Sequence, residues 1–242
     1  MTASDKPAAE FDAYASDYAA GMDNPVKSLL GESADGFVAI KLAWMMRQFP
    51  ELRGKGGGIR ILDYGCGTAT LLRLMAQTGL NAVLAGCDLS SGMLEEARER
   101  WPTQLPVPEL QQQDGARTQF ASGSMDIAVI SAVLHHVPPA DRSAVYAELH
   151  RVLRPGGTLL VFEHNPLNPV TRYVVAHTPI DQNAILLRAA EVRSALGPVE
   201  FDPPQVRYLM FLPPRLSVLA PVERALGWLP LGAQYAVTAR RR

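Results

Sequence analysis

The feature that most constrains this chain is a change of rhythm at Ile59, after which short apolar runs alternate with amphipathic stretches. Ile59–Tyr64 (IRILDY) reads as a strand, residues 70–78 as a helix, residues 80–88 as a second strand and residues 91–100 as a second helix. That second helix has Ser90 or Ser91 as its N-cap, and acidic Glu95 and Glu96 in its early turns. Residues 125–133 (MDIAVISAV) are rich in β-branched side chains and predict a strand. A helix over about 140–153 follows, with Val145, Leu149, Val152 and Leu153 on one face and Pro155-Gly156-Gly157 as its expected stop. Residues 158–164 form the next strand. Strands separated by helices imply βαβ crossovers, and hence a parallel, doubly wound sheet.

The flanks are different. Residues 1 to about 53 read as helical, with Phe37, Ile40, Lys41, Trp44 and Met45 forming one stripe at helical spacing. The glycine cluster at 54–58 (GKGGG) precedes a strand instead of following one, so it reads as a linker rather than a phosphate cradle. Beyond residue 164 the alternation stops. Asp181 is expected to cap a helix running to about Leu196, closed by Gly197-Pro198. Two last strands over 206–212 and 234–240 flank a short helix over 215–226. No internal repeat or low-complexity tract is present.

Composition narrows the function. Lys and Arg number 23 against 24 Asp and Glu, so the chain lacks the basic surplus of a general nucleic-acid binder. Arg240-Arg241-Arg242 reads as a solvated tail. The two cysteines, Cys66 and Cys87, lie in apolar segments without metal-ligand spacing, which predicts a reducing, cytoplasmic setting and no metal site. The N-terminus has no basic start followed by an apolar stretch, and no window reaches about 18 uninterrupted apolar residues, so neither secretion nor a membrane role is expected.

The segment from Ile61 to Leu72 carries the chemistry. A buried strand ends in Gly65-Cys66-Gly67 and a helix begins, so the backbone can approach a ligand and the helix offers free N–H groups. Position 70 is Thr, where the nicotinamide and flavin fingerprint needs Gly or Ala. Asp88 closes the second strand, placed to receive ribose hydroxyls.

Here the chain resembles the class I S-adenosylmethionine-dependent methyltransferases, specifically their small-molecule branch. The patterns LDxGCGxG, GxDxSxxML, D-x-x-x-x-x-F, LHHV and LRPGG stand in order at residues 62–69, 86–94, 114–120, 134–137 and 153–157, with Ala69 replacing the third motif glycine. The resemblance implies a Rossmann-like, doubly wound α/β fold whose mostly parallel seven-stranded sheet has an antiparallel last strand. It divides the chain into a helical cover (1–58) and a methyltransferase domain (59–242), with a substrate-shaping insertion at about 164–204.

Carried over position by position, it implies that Asp63, Gly65 and Gly67 surround the methionine portion of S-adenosyl-L-methionine. Asp88 would hold the ribose, Leu89 and Met93 flank the adenine, Asp114 and Gly115 meet its amino edge, and Ser131 lie near the sulfonium. The implied activity is methyl transfer to a small-molecule acceptor, oxygen first and carbon or nitrogen next, leaving S-adenosyl-L-homocysteine. The alternatives are a protein that binds the cofactor without transferring methyl, and an NAD-dependent oxidoreductase.

In the LHHV pattern His135 is expected to face substrate as a base or polar contact, with His136 packing behind it or touching the acceptor. Glu163 ends the next strand at the ligand edge and is a candidate acceptor contact. The N-terminal FDAYASDY is similar to a mobile covering helix of the family, with Tyr14 and Tyr18 on one face as candidate substrate contacts. His177, Asp181 and Gln182 fall in the insertion that would choose the acceptor. An Asn-Pro motif for nitrogen methylation belongs after the fourth strand, where this chain has Ser131-Ala132-Val133-Leu134, so nucleobase and glutamine methylation are not expected.

Overall fold

A computed structural model describes residues 11–12, 14–15, 34–53, 58–212 and 220–242. Its centre is a seven-stranded sheet built from β1 (Ile59–Tyr64), β2 (Ala82–Asp88), β3 (Glu109–Gln112), β4 (Met125–Ser131), β5 (Leu153–His164), β6 (Gln205–Leu209) and β7 (Gln234–Arg240). The strand order is β3-β2-β1-β4-β5-β7-β6. Strands β3 to β5 in that order run parallel, and β7 enters antiparallel between β5 and β6. The doubly wound α/β sheet expected from the alternation is therefore the observed one, with the seven strands and antiparallel last strand that the resemblance implied.

The apolar runs explain the layers. Leu62, Tyr64, Ala128, Ile130, Leu159 and Val161 point to one side of the sheet, where they pack with Val145, Leu149 and Val152 of α4 (Arg142–Val152). Ile61, Val129, Leu160 and Phe162 point to the other, against α2 (Thr70–Gln77) and against α1 (Ala34–Gln48), which contributes Leu42, Trp44 and Met45. Helix α3 (Ser91–Glu99) packs Leu94 and Ala97 on this second side. Burial on both faces is why the central strands are apolar without alternation.

Four local expectations change. The helix before β5 ends at Val152, and Pro155-Gly156-Gly157 lies inside β5 rather than beyond a helix stop. Leu153 is already extended, and a side chain at Gly157 would come within 2.8 Å of the Arg154 carbonyl, so the glycine permits the irregular register with β4 there. Asp181 caps no long helix. It ends a 3-10 turn, Pro179–Asp181, and α6 (Ala189–Leu196) starts later, with the Glu191 carboxylate accepting from Arg188 N–H. β3 went unseen because its Glu, Leu, Gln and Gln residues carry no apolar run. In the stretch expected to be helical over 215–226, α7 spans Ala220–Ala225, and residues 213–219 lie outside the described ones. After β5, α5 (Pro169–Ala176) begins under the Asn168 side chain, which accepts from Thr171 N–H.

Candidate active site

In an open α/β sheet the ligand edge lies at the carboxyl ends of the strands, where the strand order reverses. Here β1 has β2 on one side and β4 on the other, and the loops after these strands meet at that edge. The loop after β1 is tied to β2, with the Gly65 and Cys66 N–H groups donating to the Cys87 carbonyl at 2.8 and 2.9 Å. Asp88 locks it from the side. One carboxylate oxygen accepts from Gly67 N–H at 2.7 Å, and the other from Ser90 N–H at 3.0 Å.

Gly65 has φ +73°, and a Cβ there would lie 2.5 Å from the Val133 side chain. The loops after β1 and β4 therefore touch, and only glycine lets them. Ala69, the residue in place of the motif glycine, sits at the N-cap of α2 in the left-handed conformation, φ 58°, with no side-chain cap. The first N–H groups of α2 are thus left for a ligand.

Two acids mark this half of the site. Burial, with the Asp88 charge adding to it, pushes the Asp63 carboxyl up to about 7, and Lys41 opposes the shift. Asp88 is also raised by burial, against the backbone N–H groups of Ser90 and Gly67 that stabilise its charged form. Beyond its backbone partners Asp88 has lone-pair sites to spare. A half-buried carboxylate at the end of β2, beside a glycine cradle and an uncapped helix start, fits an adenosyl cofactor.

The other expected residues take up varied positions. Met93 is fully buried, and its N–H donates to Ser90 Oγ. Leu89 is half-buried, with its carbonyl accepting from Gln112 Nε2. Asp114 is exposed, and closes a tight turn with Arg117 in which Gly115 has φ 56°. Ser131 Oγ accepts from Lys41 Nζ at 2.9 Å. Lys41 is 5% exposed, and its place within an otherwise apolar helical stripe was the available signal for such a role.

The second half of the site grows from the loop after β4. Glu163, fully buried near the end of β5, accepts on one oxygen from the Val133 and Leu134 N–H groups at 3.0 and 2.7 Å. Its other oxygen lies 2.5 Å from His135 Nδ1. His135 Nε2 faces Asp181 Oδ1 at 3.5 Å, and His136 Nε2 lies 3.4 Å from the same atom. Burial works against a charged His135 ring, but Glu163 and Asp181 outweigh it and hold its pKa up at about 9. Glu163 moves the opposite way. Burial opposes its ionisation, yet the His135 cation brings it down to about 2. Asp181 lies well below the ordinary carboxylate range, because its contacts with His135 and His136 outweigh burial. His164, 5.1 Å from His135 ring to ring, is lowered to about 3 by burial and by that cation, and is neutral.

The arrangement reverses the expected roles of the histidine pair. His135 is 1% exposed and packs behind, while the His136 side chain is 16% exposed. Held between the Glu163 and Asp181 carboxylates, His135 is closed off from solvent at both ring nitrogens. Glu163 likewise turns inward, onto the β4 loop and His135.

Arg142, which no sequence pattern marked, fastens this half. It donates to the Leu134, Val137 and Ile185 carbonyls, while Ile185 N–H donates to the His135 carbonyl. The 181–185 stretch is thereby pinned beside the histidines. His177, exposed and stacked on Tyr173, is not part of this group.

From the N-terminal segment, Phe11 meets His136 edge-on with ring centroids 5.0 Å apart. Asp12, another residue sequence reasoning passed over, accepts from Ser90 Oγ and Gly92 N–H at the start of α3. Tyr14 is half-buried, its N–H donating to the Phe11 carbonyl, and Tyr18 lies outside the described residues.

Fold and site together define a protein that binds a nucleoside cofactor at the ligand edge of a doubly wound sheet. A family profile described as a methyltransferase domain matches residues 61–157. A demethylmenaquinone methyltransferase of Parafrankia sp. (strain EAN1pec) is 34% identical over 192 residues, covering 72% of each chain. A 2-phytyl-1,4-naphtoquinone methyltransferase of Nostoc punctiforme is 35% identical, over 48% of this chain and 51% of its own length. Among solved structures, a SAM-dependent methyltransferase of Thermotoga maritima, described as a possible histamine N-methyltransferase, aligns over 98% of this chain and 100% of its own with a TM-score of 0.64 and 15% identity. The chain belongs to the class I S-adenosylmethionine-dependent methyltransferases. Its cofactor is S-adenosylmethionine. No helix among the described residues is long and apolar enough to cross a membrane.

Proposed function

We propose that this enzyme methylates a small aromatic acceptor of the quinol class, at a ring carbon next to a hydroxyl. The observation that carries this reading is the 34% identity, across 72% of both chains, to a protein named for demethylmenaquinone. It replaces the oxygen atom favoured by sequence alone with carbon. S-adenosylmethionine supplies an electrophilic methyl group and leaves as S-adenosylhomocysteine.

The chain's own residues position and shield. Asp88 receives the ribose hydroxyls, Gly65 and Gly67 admit the methionine portion against the backbone, and Asp63 lies beside it. Leu89, Met93, Asp114 and Gly115 border the adenine, and Ser131, held by Lys41, borders the sulfonium. Across the Gly65–Val133 contact the acceptor hydroxyl meets His136, oriented by Asp181, rather than the enclosed His135. His136 takes the hydroxyl proton as ring electron density moves toward the methyl carbon and the sulfur–methyl bond breaks; the ring carbon then gives up its own hydrogen as a proton and the oxygen is reprotonated, which restores the aromatic quinol. Glu163 is a positioning residue, acting through His135 and the β4 loop. Holding the ring in line behind the methyl group supplies about 7–11 kcal/mol of the barrier. The 164–204 insertion, which carries Asp181, shapes the acceptor pocket, and Phe11, which meets His136 edge-on, borders it.

The test uses methyl-labelled S-adenosylmethionine with a short-chain demethylmenaquinol, a catechol and histamine, and locates the label by NMR. Label on a ring carbon of the quinol supports the reading. Label on oxygen, or only on histamine nitrogen, overturns it.

A further inference from the structure

The cluster at the end of β4 has the composition and spacing of a cation site, and we propose that His135, His136 and Asp181 bind one divalent transition-metal ion of the zinc type. One ligand atom from each of the three residues lies within 4.8 Å of the others. The two resolved edges, His135 Nε2 to Asp181 Oδ1 and His136 Nε2 to Asp181 Oδ1, measure 3.5 and 3.4 Å. Tetrahedral ligands at about 2.0–2.1 Å from zinc stand roughly 3.3 Å apart, so little movement is needed to close the set.

An independent observation points to a ligand. His135 Nε2 is buried in a side chain 1% exposed and faces Asp181 Oδ1 at 3.5 Å without completing a hydrogen bond, so an ion that displaces its proton would satisfy both atoms. Its other nitrogen, Nδ1, is engaged by Glu163 at 2.5 Å, and Glu163 is itself held by two backbone N–H groups. A carboxylate on one ring nitrogen and a metal on the other is the usual outer arrangement of a histidine ligand, because it fixes the tautomer and strengthens the donor.

Two imidazoles and one carboxylate leave a fourth position open, as in catalytic rather than structural zinc sites. The mixed nitrogen and oxygen set disfavours calcium and magnesium, which take all-oxygen shells. His164 lies beside His135 but, like Glu163, belongs to the surroundings and not to the ligand set. The inference deepens the reading of the acceptor subsite: with the ion bound, the open position would take the acceptor's hydroxyl oxygen, and the hydroxyl proton would leave to solvent, His136 then serving as a ligand in place of a base. It rests, however, on geometry that is independent of methyl transfer.

The experiment is a titration of the chelator-treated full-length chain with Zn²⁺, followed by calorimetry, with Co²⁺ as a spectroscopic probe. One equivalent should bind per chain, and Co²⁺ should show the intense visible absorption of a four-coordinate site. His136→Ala removes a partly exposed ligand, and Asp181→Asn keeps the volume. Each should weaken binding beyond the about 10–100-fold seen on losing an outer-shell partner. His177→Ala should bind as the parent does. Circular dichroism melts establish that each variant is folded, and the Co²⁺ spectrum of the parent decides the matter if one is not.

Absence of saturable binding, affinity unchanged in both folded ligand variants, or dependence on His177 overturns the proposal. S-adenosylhomocysteine binding in the presence of chelator is measured alongside. A failed metal titration with that binding intact rejects the ion alone, whereas failure of the methyl-transfer reading appears only in the label assay.

Discussion

Asp88 and Glu163 are built alike and used differently. Each stands at the end of a strand on the ligand edge, and each accepts two backbone N–H groups from the loops that form the site. Glu163 also has the His135 cation, which draws it down to about 2. Asp88 has no such partner, and burial leaves it raised. A carboxylate whose charge is answered within the fold is a fastener. One whose charge is only partly answered is poised for a ligand's hydroxyls.

The largest effect should therefore come from Glu163→Gln. Removing one member of a buried ion pair strands the other, at a cost of about 3–5 kcal/mol. For a chain of this size that corresponds to a melting temperature lower by roughly 10 °C. Asp88→Asn, which sets an N–H donor against one of the two backbone N–H groups, should lower melting by less than Glu163→Gln does and weaken S-adenosylhomocysteine by roughly 10–100-fold in calorimetry, the worth of one or two charge-assisted hydrogen bonds. If Glu163→Gln melts like the parent, or Asp88→Asn binds like it, the distinction between fastener and ligand acid breaks.

An effect of similar size, spread over pH, separates the halves. Asp63 has its carboxyl raised from 3.8 to about 7 by burial and then by Asp88. Between those values the folded chain holds a proton that the unfolded chain has released. Stability from this group is therefore fully present below the ordinary carboxyl range and is lost as pH rises through about 7. The loss is on the order of 4 kcal/mol at most. Asp63→Asn should flatten the decline of the apo melting temperature across that window. An unchanged slope would show that Asp63 is ionised throughout.

The cofactor half was far more legible than the acceptor half, for a physical reason. Gly65, Gly67, Asp63 and Asp88 sit within one strand-loop-helix-strand unit, where local spacing decides which groups meet. The acceptor half joins residues distant in sequence: Glu163 reaches back to Val133, Leu134 and His135, and Asp181 reaches both histidines. Asp181 read locally as a helix cap, because an Asp ahead of an amphipathic stretch is the ordinary signal for one. Arg142, holding three carbonyls from two loops, gives no periodic signal at all. Likewise β7 was legible from QYAVTAR, whereas β3, with one apolar residue in four, was stabilised by its neighbour β2 rather than by its own pattern.

The smallest expected effect concerns a feature both halves share. Ala69 follows the glycine loop at φ 58°, and Ala132 follows β4 at φ 57°. For an L-residue this left-handed conformation costs about 1–2 kcal/mol, so glycine relieves strain at either position. Glycine also makes the unfolded chain freer, at a cost of about 0.4–1 kcal/mol. The two sites differ in burial. Ala69 is fully buried, so losing its methyl forfeits a further ~0.8 kcal/mol, whereas Ala132 is only half-buried. Ala132→Gly should thus raise the melting temperature by about 1–3 °C, and Ala69→Gly should leave it level or slightly lower. Scanning calorimetry on the two variants side by side checks the order. A larger gain at Ala69 would mean that its methyl contributes little to the packing under the cofactor loop, and that alanine in place of the motif glycine is a strain this half of the site carries without compensation.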